Sequence, residues 1–306
     1  MKHLPSLKQL EYLVALAETQ HFGKASQRCN VTHSTLSAGI KELESVLGVS
    51  LAERTKRKVT MEPLGVEIAE RATLLLRDAE DIMELAATHR EPLTGKIRLG
   101  VIPTIGPFLL PGVLMPLNST YPDLRLYLKE DQTDALLQQL RAGEIDLALI
   151  ALPFETDGLT TTDLFEDEFQ FACHADHPLA KRNVVSKKYL VDQPLLLLED
   201  GHCLRDHALS ACRIPEERFR PLFEATSIHT LVQMVMSGLG VTLLPQLAID
   251  ANITAGSNIK LVSLSTKASR MIGMVWRQSS TRVHEFELLA NAFRKRGSVK
   301  KLADTS

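Results

Sequence analysis

No run of apolar residues in this 306-residue chain approaches the roughly 18–20 needed to cross a bilayer, and Met1 to Pro5 leads into an amphipathic stretch rather than an apolar leader. A soluble, cytoplasmic protein without membrane partners is expected. A disulfide framework is also missing. The four cysteines, Cys29, Cys173, Cys203 and Cys212, are too sparse for one, so any bridge should be transient. Bulk charge gives no lead, because the net charge is −2. Internal repeats and low-complexity segments are absent. What remains is a chain 44% hydrophobic and 24% charged, longer than one usual domain and able to fill more than one core.

Charge sorted along the chain says more than its sum. Up to Thr60, nine basic residues stand against five acidic ones, whereas from Met61 to Arg90 three stand against seven. A positive field confined to the N-terminus suits a polyanion. Within that segment Leu7, Leu10, Val14 and Ala17 recur at helical spacing, and Phe22 to Ser26 opens a second helix that takes in Cys29. After the break at Asn30-Val31, a third helix is expected with Thr32 as its N-cap, running through Leu36, Ile40, Leu43 and Leu47 to a stop at Gly48. A basic, hairpin-like stretch from Arg54 to Thr60 follows.

Pro63 suits the first turn of a long helix, whose apolar positions Ile68, Ala72, Leu75, Ala79, Ile82 and Ala86 are spaced as a heptad seam. Such a seam dimerises two helices, unless it packs on its own domain. The helix should end near Glu91 to Gly95. Beyond it, strand-like Lys96–Ile102, Asp146–Ile150, Val184–Leu190, Leu195–Leu198 and Gly240–Leu244 alternate with helical Asp134–Leu140 and Thr230–Met236, which reads as α/β. Cys173 falls in a strand-like run from Phe169, and Trp276 and Gly238-Leu-Gly240 read as packing and a turn.

A helix-turn-helix places the start of its second helix at base edges while neighbouring groups hold phosphates. Here Thr32, His33, Ser34, Thr35 and Ser37 are the candidates for base edges, and Lys41 for backbone. Arg54, Lys56, Arg57 and Lys58 would grip phosphate or an adjacent minor groove. A solvated basic face on an ordinary helical domain is the alternative. The ordered run Phe22-Gly-Lys-Ala-Ser, Cys29-Asn-Val-Thr-His-Ser-Thr-Leu-Ser, Ile40-Lys-Glu-Leu-Glu-Ser-Val-Leu-Gly, Leu51-Ala-Glu-Arg and Val59 to Gly65 resembles the winged helix-turn-helix of LysR-type transcription regulators.

That resemblance implies a winged helix-turn-helix over 1–62, a dimerising linker helix and hinge over 63–94, and a regulatory domain over 95–306. The last would be a two-subdomain α/β unit of periplasmic-binding-protein type, with subdomain I at about 95–168 and 270–306 and subdomain II at about 169–269. The chain departs from the family pattern at Ala52, often Phe, at Glu62, commonly Thr, and at Thr32-His33, where Ser-Gln is usual.

The stretch from Leu195 to Cys212 carries the densest chemistry. A hydrophobic strand runs into a turn at Asp200-Gly201, and Cys203 falls where a helix should start. A helix N-terminus and the cations offered by His202, Arg205 and His207 are expected to lower the Cys203 thiol pKa. A thiolate reduces peroxide and becomes a sulfenic acid, which a second thiol, for which Cys212 is a candidate, can convert to a disulfide. In one continuous helix the two thiols would be too far apart, so the bond would require local unfolding and a second conformation. Two alternatives stand beside this one. The cysteines are small buried hydrophobes, as Cys29 and Cys173 are expected to be, or His202, Cys203, His207 and Cys212 bind a metal, although their spacing matches no common zinc motif.

Glu199 to Asp206 with its following Cys212 is similar to the redox loop of the peroxide-responsive activators within the LysR type. So are Ile102 to Pro111, Gln132-Thr133, Ala225-Thr-Ser and Gly238 to Pro245. The resemblance implies that Cys203 reacts with hydrogen peroxide and that Cys212 is its disulfide partner. It further implies that Thr104, Thr133, His202, Arg205, Asp206 and Arg270 form the polar pocket that positions peroxide and protonates its leaving hydroxide.

A regulator rather than an enzyme follows, with no cofactor or metal. Its partners would be double-stranded promoter DNA, a second copy through the linker helix and a tetramer beyond that, RNA polymerase, and a cellular thiol reductant. The rival readings are a LysR-type regulator that binds a small organic ligand between its effector subdomains, a thiol peroxidase, and a metal-responsive regulator.

Overall fold

Ser6 sets the first helix of the computed structural model: its hydroxyl accepts from Gln9 N, and the Gln9 side chain accepts from Ser6 N in return. The structure describes residues 4–54, 59–88, 92–190, 193–212 and 223–303, with the side chains at 54, 81, 84–88, 211, 212 and 297–303 outside that description. Two units result, Met1–Arg90 and Glu91–Ser306.

In the first unit α1 (Leu7–Thr19), α2 (Phe22–Arg28) and α3 (His33–Leu47) enclose Leu13, Leu16, Ala25, Leu36, Ile40 and Leu43. The crossing of α1 and α3 depends on Gly39, where a Cβ would lie 2.6 Å from the Tyr12 ring. Thr32 caps α3 as expected, accepting from Thr35 N at 3.2 Å, and Gly48 ends it in the left-handed region. Cys29 is not inside α2 but forms its C-cap, still buried in this core. The β-hairpin of β1 (Ala52–Arg54) and β2 (Val59–Met61) is antiparallel, and Ala52 is buried.

The 26-residue helix α4 (Pro63–Thr88) divides its apolar face. Ile68, Ala69, Ala72 and Leu76 pack on the first unit's own core, whereas Leu75, Ile82 and Met83 stand 54%, 65% and 74% exposed. Self-packing therefore accounts for the first turns only, and the later turns keep an uncovered apolar stripe.

The second unit opens with β3 (Gly95–Val101), α5 (Gly106–Thr120), β4 (Leu124–Glu130), α6 (Thr133–Arg141) and β5 (Leu147–Leu152), in which β3 pairs in parallel with both β4 and β5. The chain continues through β6 (Leu159–His174), β7 (Val184–Val185), β8 (Leu197–Leu198), α7 (Cys203–Cys212) and β9 (Glu224–Ala225). It closes with α8 (Ile228–Met236), β10 (Thr242–Pro245), α9 (Gln246–Asp250), β11 (Ile259–Leu264), β12 (Ser269–Arg277) and α10 (Val283–Ala303). The strand expected over Val184–Leu190 is only the two-residue edge strand β7. Ser186 leads into a short 3-10 turn, Lys187–Tyr189, instead of extending it.

The main sheet runs β4-β3-β5-β12-β6-β11-β7, with β10 also on β6. The 16-residue β6 joins two subdomains: its first part pairs with β12, and its end pairs with β10 and β11. One core includes Leu99, Leu149, Met274, Trp276 and Phe293, and the other Phe171, Leu198, Leu209, Val232 and Leu243. Cys203 is the exception to this division by sequence. It lies in the first core, while its helix neighbours Leu204, Ala208 and Leu209 lie in the second. Among the described residues no helix is long and apolar enough to cross a membrane.

Candidate functional site

At the start of α3, Thr32, Ser34 and Thr35 gather exposed hydroxyls, with Thr32 Oγ1 2.9 Å from Ser34 Oγ and 2.8 Å from Thr35 Oγ1. His33 begins the helix with its ring 5.6 Å from that of Phe22, Ser37 is half-buried, and Lys41 is exposed one turn further on. Small hydroxyls and a single long cation on one exposed helix start can donate and accept at base edges while reaching a phosphate. Lys56 and Arg57 lie outside the described residues, as does the Arg54 side chain.

The thiol site is built where three segments meet. After β8, the Asp200-Gly201 turn delivers Cys203 to the first position of α7. Gly201 has φ +91°, and a Cβ there would fall 2.6 Å from the Gln132 side-chain oxygen. Glycine thus lets this turn close against Gln132, the N-cap of α6, and Thr133 beside it is buried with Oγ1 2.7 Å from Cys203 Sγ. Thr104 enters from the end of β3. Its hydroxyl accepts from Arg270 Nη1 at 2.9 Å and its carbonyl from Nη2 at 3.0 Å.

Arg270 is held on its other side by Asp167, the residue directly opposite it in the β12–β6 ladder. Its Nε donates to Asp167 Oδ2 at 3.0 Å, and the two side chains are 0% and 1% exposed. Oδ1 of Asp167 accepts from Leu247 N at 2.9 Å. A fully dry ion pair persists only with such extra bonds, and this one ties Thr104 of one subdomain to α9 of the other. Burial pushes the Asp167 carboxyl up, and Arg270 and the Leu247 amide pull it back.

The expected acid thiol is not what the site provides. Burial pushes the Cys203 thiol up, Asp206 adds to this, and the Thr133 hydroxyl and Arg270 only partly oppose it. The cations assumed to lie nearby are otherwise engaged. His202 is buried, and desolvation lowers its pKa, with Glu199 at 3.9 Å a weaker opposing influence. Arg205 is ion-paired with Asp200 and, at 3.6 Å, with Glu224. Burial and Arg270 likewise lower His207. Asp206 is exposed.

Thr104, Thr133, Cys203 and Arg270 are thus brought together, whereas Arg205 is paired with Asp200 and Glu224 and Asp206 is exposed beside Cys203. The Cys212 side chain lies outside the description, although its backbone closes α7. Cys173 is a core thiol that burial pushes up to about 11. Among the described residues, no three His, Cys, Asp or Glu side chains converge as metal ligands do. Sequence reasoning missed Asp167, yet a signal was there: in β6 it alternates with Phe165, Phe169 and Phe171, so the strand period places it on their face.

The family models complete this picture. Residues 7–65 match the bacterial regulatory helix-turn-helix protein of the lysR family, and residues 90–298 match the LysR substrate binding domain. The chain is a LysR-type transcriptional regulator. Among its relatives, this LysR-type regulator is 42% identical over 296 residues to the HTH-type transcriptional regulator EstR of Acinetobacter baylyi, covering 96% of this chain and 98% of that protein. It is 40% identical over 291 residues to the DNA-binding transcriptional dual regulator OxyR of Escherichia coli, covering 95% of each.

Among solved structures, a cysteine-to-aspartate variant of full-length OxyR from Pseudomonas aeruginosa superposes with a TM-score of 0.79 at 38% identity over 95% of each chain. A hydrogen-peroxide-bound variant of Corynebacterium glutamicum OxyR superposes with a TM-score of 0.67 at 37% identity, over 97% of this chain and 94% of that one. The regulator is therefore OxyR-like.

Proposed function

We propose that this LysR-type regulator senses hydrogen peroxide by reversible oxidation of Cys203 to a sulfenic acid and then to a disulfide with Cys212, which changes its quaternary arrangement on promoter DNA. The observation that carries the reading is the place of α7. Cys203 packs in one core and Leu204, Ala208 and Leu209 in the other, and nine residues of helical rise, about 13 Å, separate the Cα atoms of Cys203 and Cys212, which must come within about 7 Å for a disulfide. The disulfide therefore cannot form without opening α7 and releasing its hold on both cores.

In this reading Thr104, Thr133, His202, Asp206 and Arg270 frame the peroxide, with Arg205 holding the loop around it through Asp200 and Glu224. Residues 1–62 read DNA through Thr32, His33, Ser34, Thr35, Ser37 and Lys41 with Arg54, Lys56 and Arg57 on the wing. Residues 63–94 pair two copies along the uncovered stripe at Leu75, Ile82 and Met83, and residues 95–306 sense oxidant and join dimers into tetramers. RNA polymerase and a cytoplasmic thiol reductant complete the cycle. The named relatives are transcription regulators, which favours a regulatory over an enzymatic use of the thiol. The other reading is a small organic ligand bound between the effector subdomains; an acidic one at Arg270 is disfavoured, because that buried cation already commits its donors to Asp167 and Thr104.

The deciding experiment is mass-spectrometric mapping of thiols before and after brief peroxide treatment, with footprinting of wild type and Cys203→Ser on bound promoter DNA. A Cys203–Cys212 bond that appears only after treatment, and a footprint that changes in wild type alone, are expected. A peroxide-dependent footprint retained by Cys203→Ser would overturn the proposal.

A further inference from the structure

The buried thiol needs somewhere to send its proton, and α7 carries one acceptor on the same helix face. His207 follows Cys203 by four residues, so the two side chains share a helix face with Cβ atoms about 6 Å apart. The His207 ring lies against the Pro153 carbonyl, which favours its protonated form and partly opposes burial. Its Nδ1 is buried with no hydrogen-bond partner among the described residues. A proton on Nε2, where it can serve that carbonyl, leaves a free lone pair on Nδ1. A buried acceptor without a donor is rare in native proteins and calls for a reason.

The charged groups that act on this pair are Arg270 from β12, itself paired with Asp167 of β6, and Asp206 from α7, which acts on Cys203. Arg270 acts electrostatically on both Cys203 and His207, which places the two on a common cation. Burial, with Arg270 beside it, keeps the imidazole neutral and able to accept. His202 differs in having Glu199 opposite its Nε2 at 3.9 Å.

We propose that Nδ1 of His207 accepts the proton released when Cys203 is oxidised, an inference that rests on the peroxide-sensing reading. The Cys203 sulfur attacks one oxygen of hydrogen peroxide, so that an S–O bond forms and the O–O bond breaks. The thiol proton passes to Nδ1 through the bound peroxide, and the imidazolium returns it to the departing hydroxide, which leaves as water. The sulfur loses two electrons, the peroxide gains two, and Cys203 is left as a sulfenic acid beside a neutral His207. General base help of this kind makes a high thiol pKa tolerable, because the thiolate need not exist before the encounter.

The test uses the full chain with Cys212→Ser, which stops the reaction at the sulfenic acid. The rate of trapping by a dimedone probe is followed after mixing with hydrogen peroxide from pH 6 to pH 9. His207→Gln keeps an amide for Pro153 but removes the base. It should slow sulfenic acid formation roughly 100-fold at neutral pH and make the rate climb about tenfold per pH unit as the thiol itself ionises, where the parent stays nearly flat. Added imidazole should restore part of the rate to His207→Ala, which a purely structural role would not allow. Equal rates and pH profiles in parent and His207→Gln would overturn the inference. So would a parent rate unchanged in heavy water, a measurement that stands even if neither variant folds. Failure of the parent to label at Cys203 under excess peroxide would instead overturn the sensing reading beneath it.

Discussion

Leu209→Ala should make the Cys203–Cys212 disulfide harder to reduce, although Leu209 touches neither the peroxide chemistry nor DNA. Leu209 is buried in the second core, and it holds that place only while α7 stays helical. Truncating a buried leucine to alanine costs about 3 kcal/mol on average, and here the reduced, helical form bears that cost alone. For a two-electron couple about 1.4 kcal/mol corresponds to roughly 30 mV, so the midpoint should fall by about 60 mV and the disulfide should gain close to two decades in equilibrium constant. Leu243→Ala in β10 is the control, since this buried residue belongs to a strand laddered to β6, which both forms are expected to keep. The assay is equilibration of the full chain in dithiol redox buffers, acid quenching, alkylation and mass analysis. Equal midpoints for Leu209→Ala and wild type would refute the release of α7 from its core on oxidation.

Three further outcomes follow from the same geometry. Asp167→Asn should cost about 3–5 kcal/mol by stranding the Arg270 guanidinium in a dry site, read as a lower urea midpoint from the fluorescence of Trp276, the lone tryptophan, which lies in the second unit. Burial lowers the pKa of both His202 and His207, so below about pH 6.5 the unfolded chain binds protons that the native chain refuses. Their contribution is present above pH 6.5 and lost as pH falls toward the folded values, at most about 1.4 kcal/mol per unit for each; a His202→Gln, His207→Gln chain that stays as acid-sensitive as wild type would contradict this. Lys41→Ala should weaken binding to selected promoter DNA evenly across sequences and reduce the salt slope by about 1, as measured by fluorescence anisotropy.

The elements most legible in the sequence are those fixed by neighbours along the chain. The Thr32 cap, the Gly48 stop, the long helix from Pro63 and the helix start at Cys203 all follow from local hydrogen bonding or backbone conformation, and all are present. Val184–Leu190 misled because strand-forming residues at its start are paired only at the sheet edge, leaving Ser186 free to begin a tight turn. The acid strength of Cys203 was illegible for a different reason. Its sign is set by burial in a core drawn from segments far away in sequence, which overrides the helix N-terminus and the adjacent His and Arg. The partner of Arg270 was hidden likewise, since only the β6–β12 register puts Asp167 opposite it.

The continuity of β6 also governs how this regulator can be dissected genetically. Because one uninterrupted 16-residue strand supplies inward residues to both cores, neither subdomain has a complete gene segment of its own. A truncation after Asp167 strips the second core of Phe169 and Phe171, and one that starts there opens the edge of β12 to other chains. Half-length fragments should therefore precipitate when expressed singly and recover solubility only when both halves are made together.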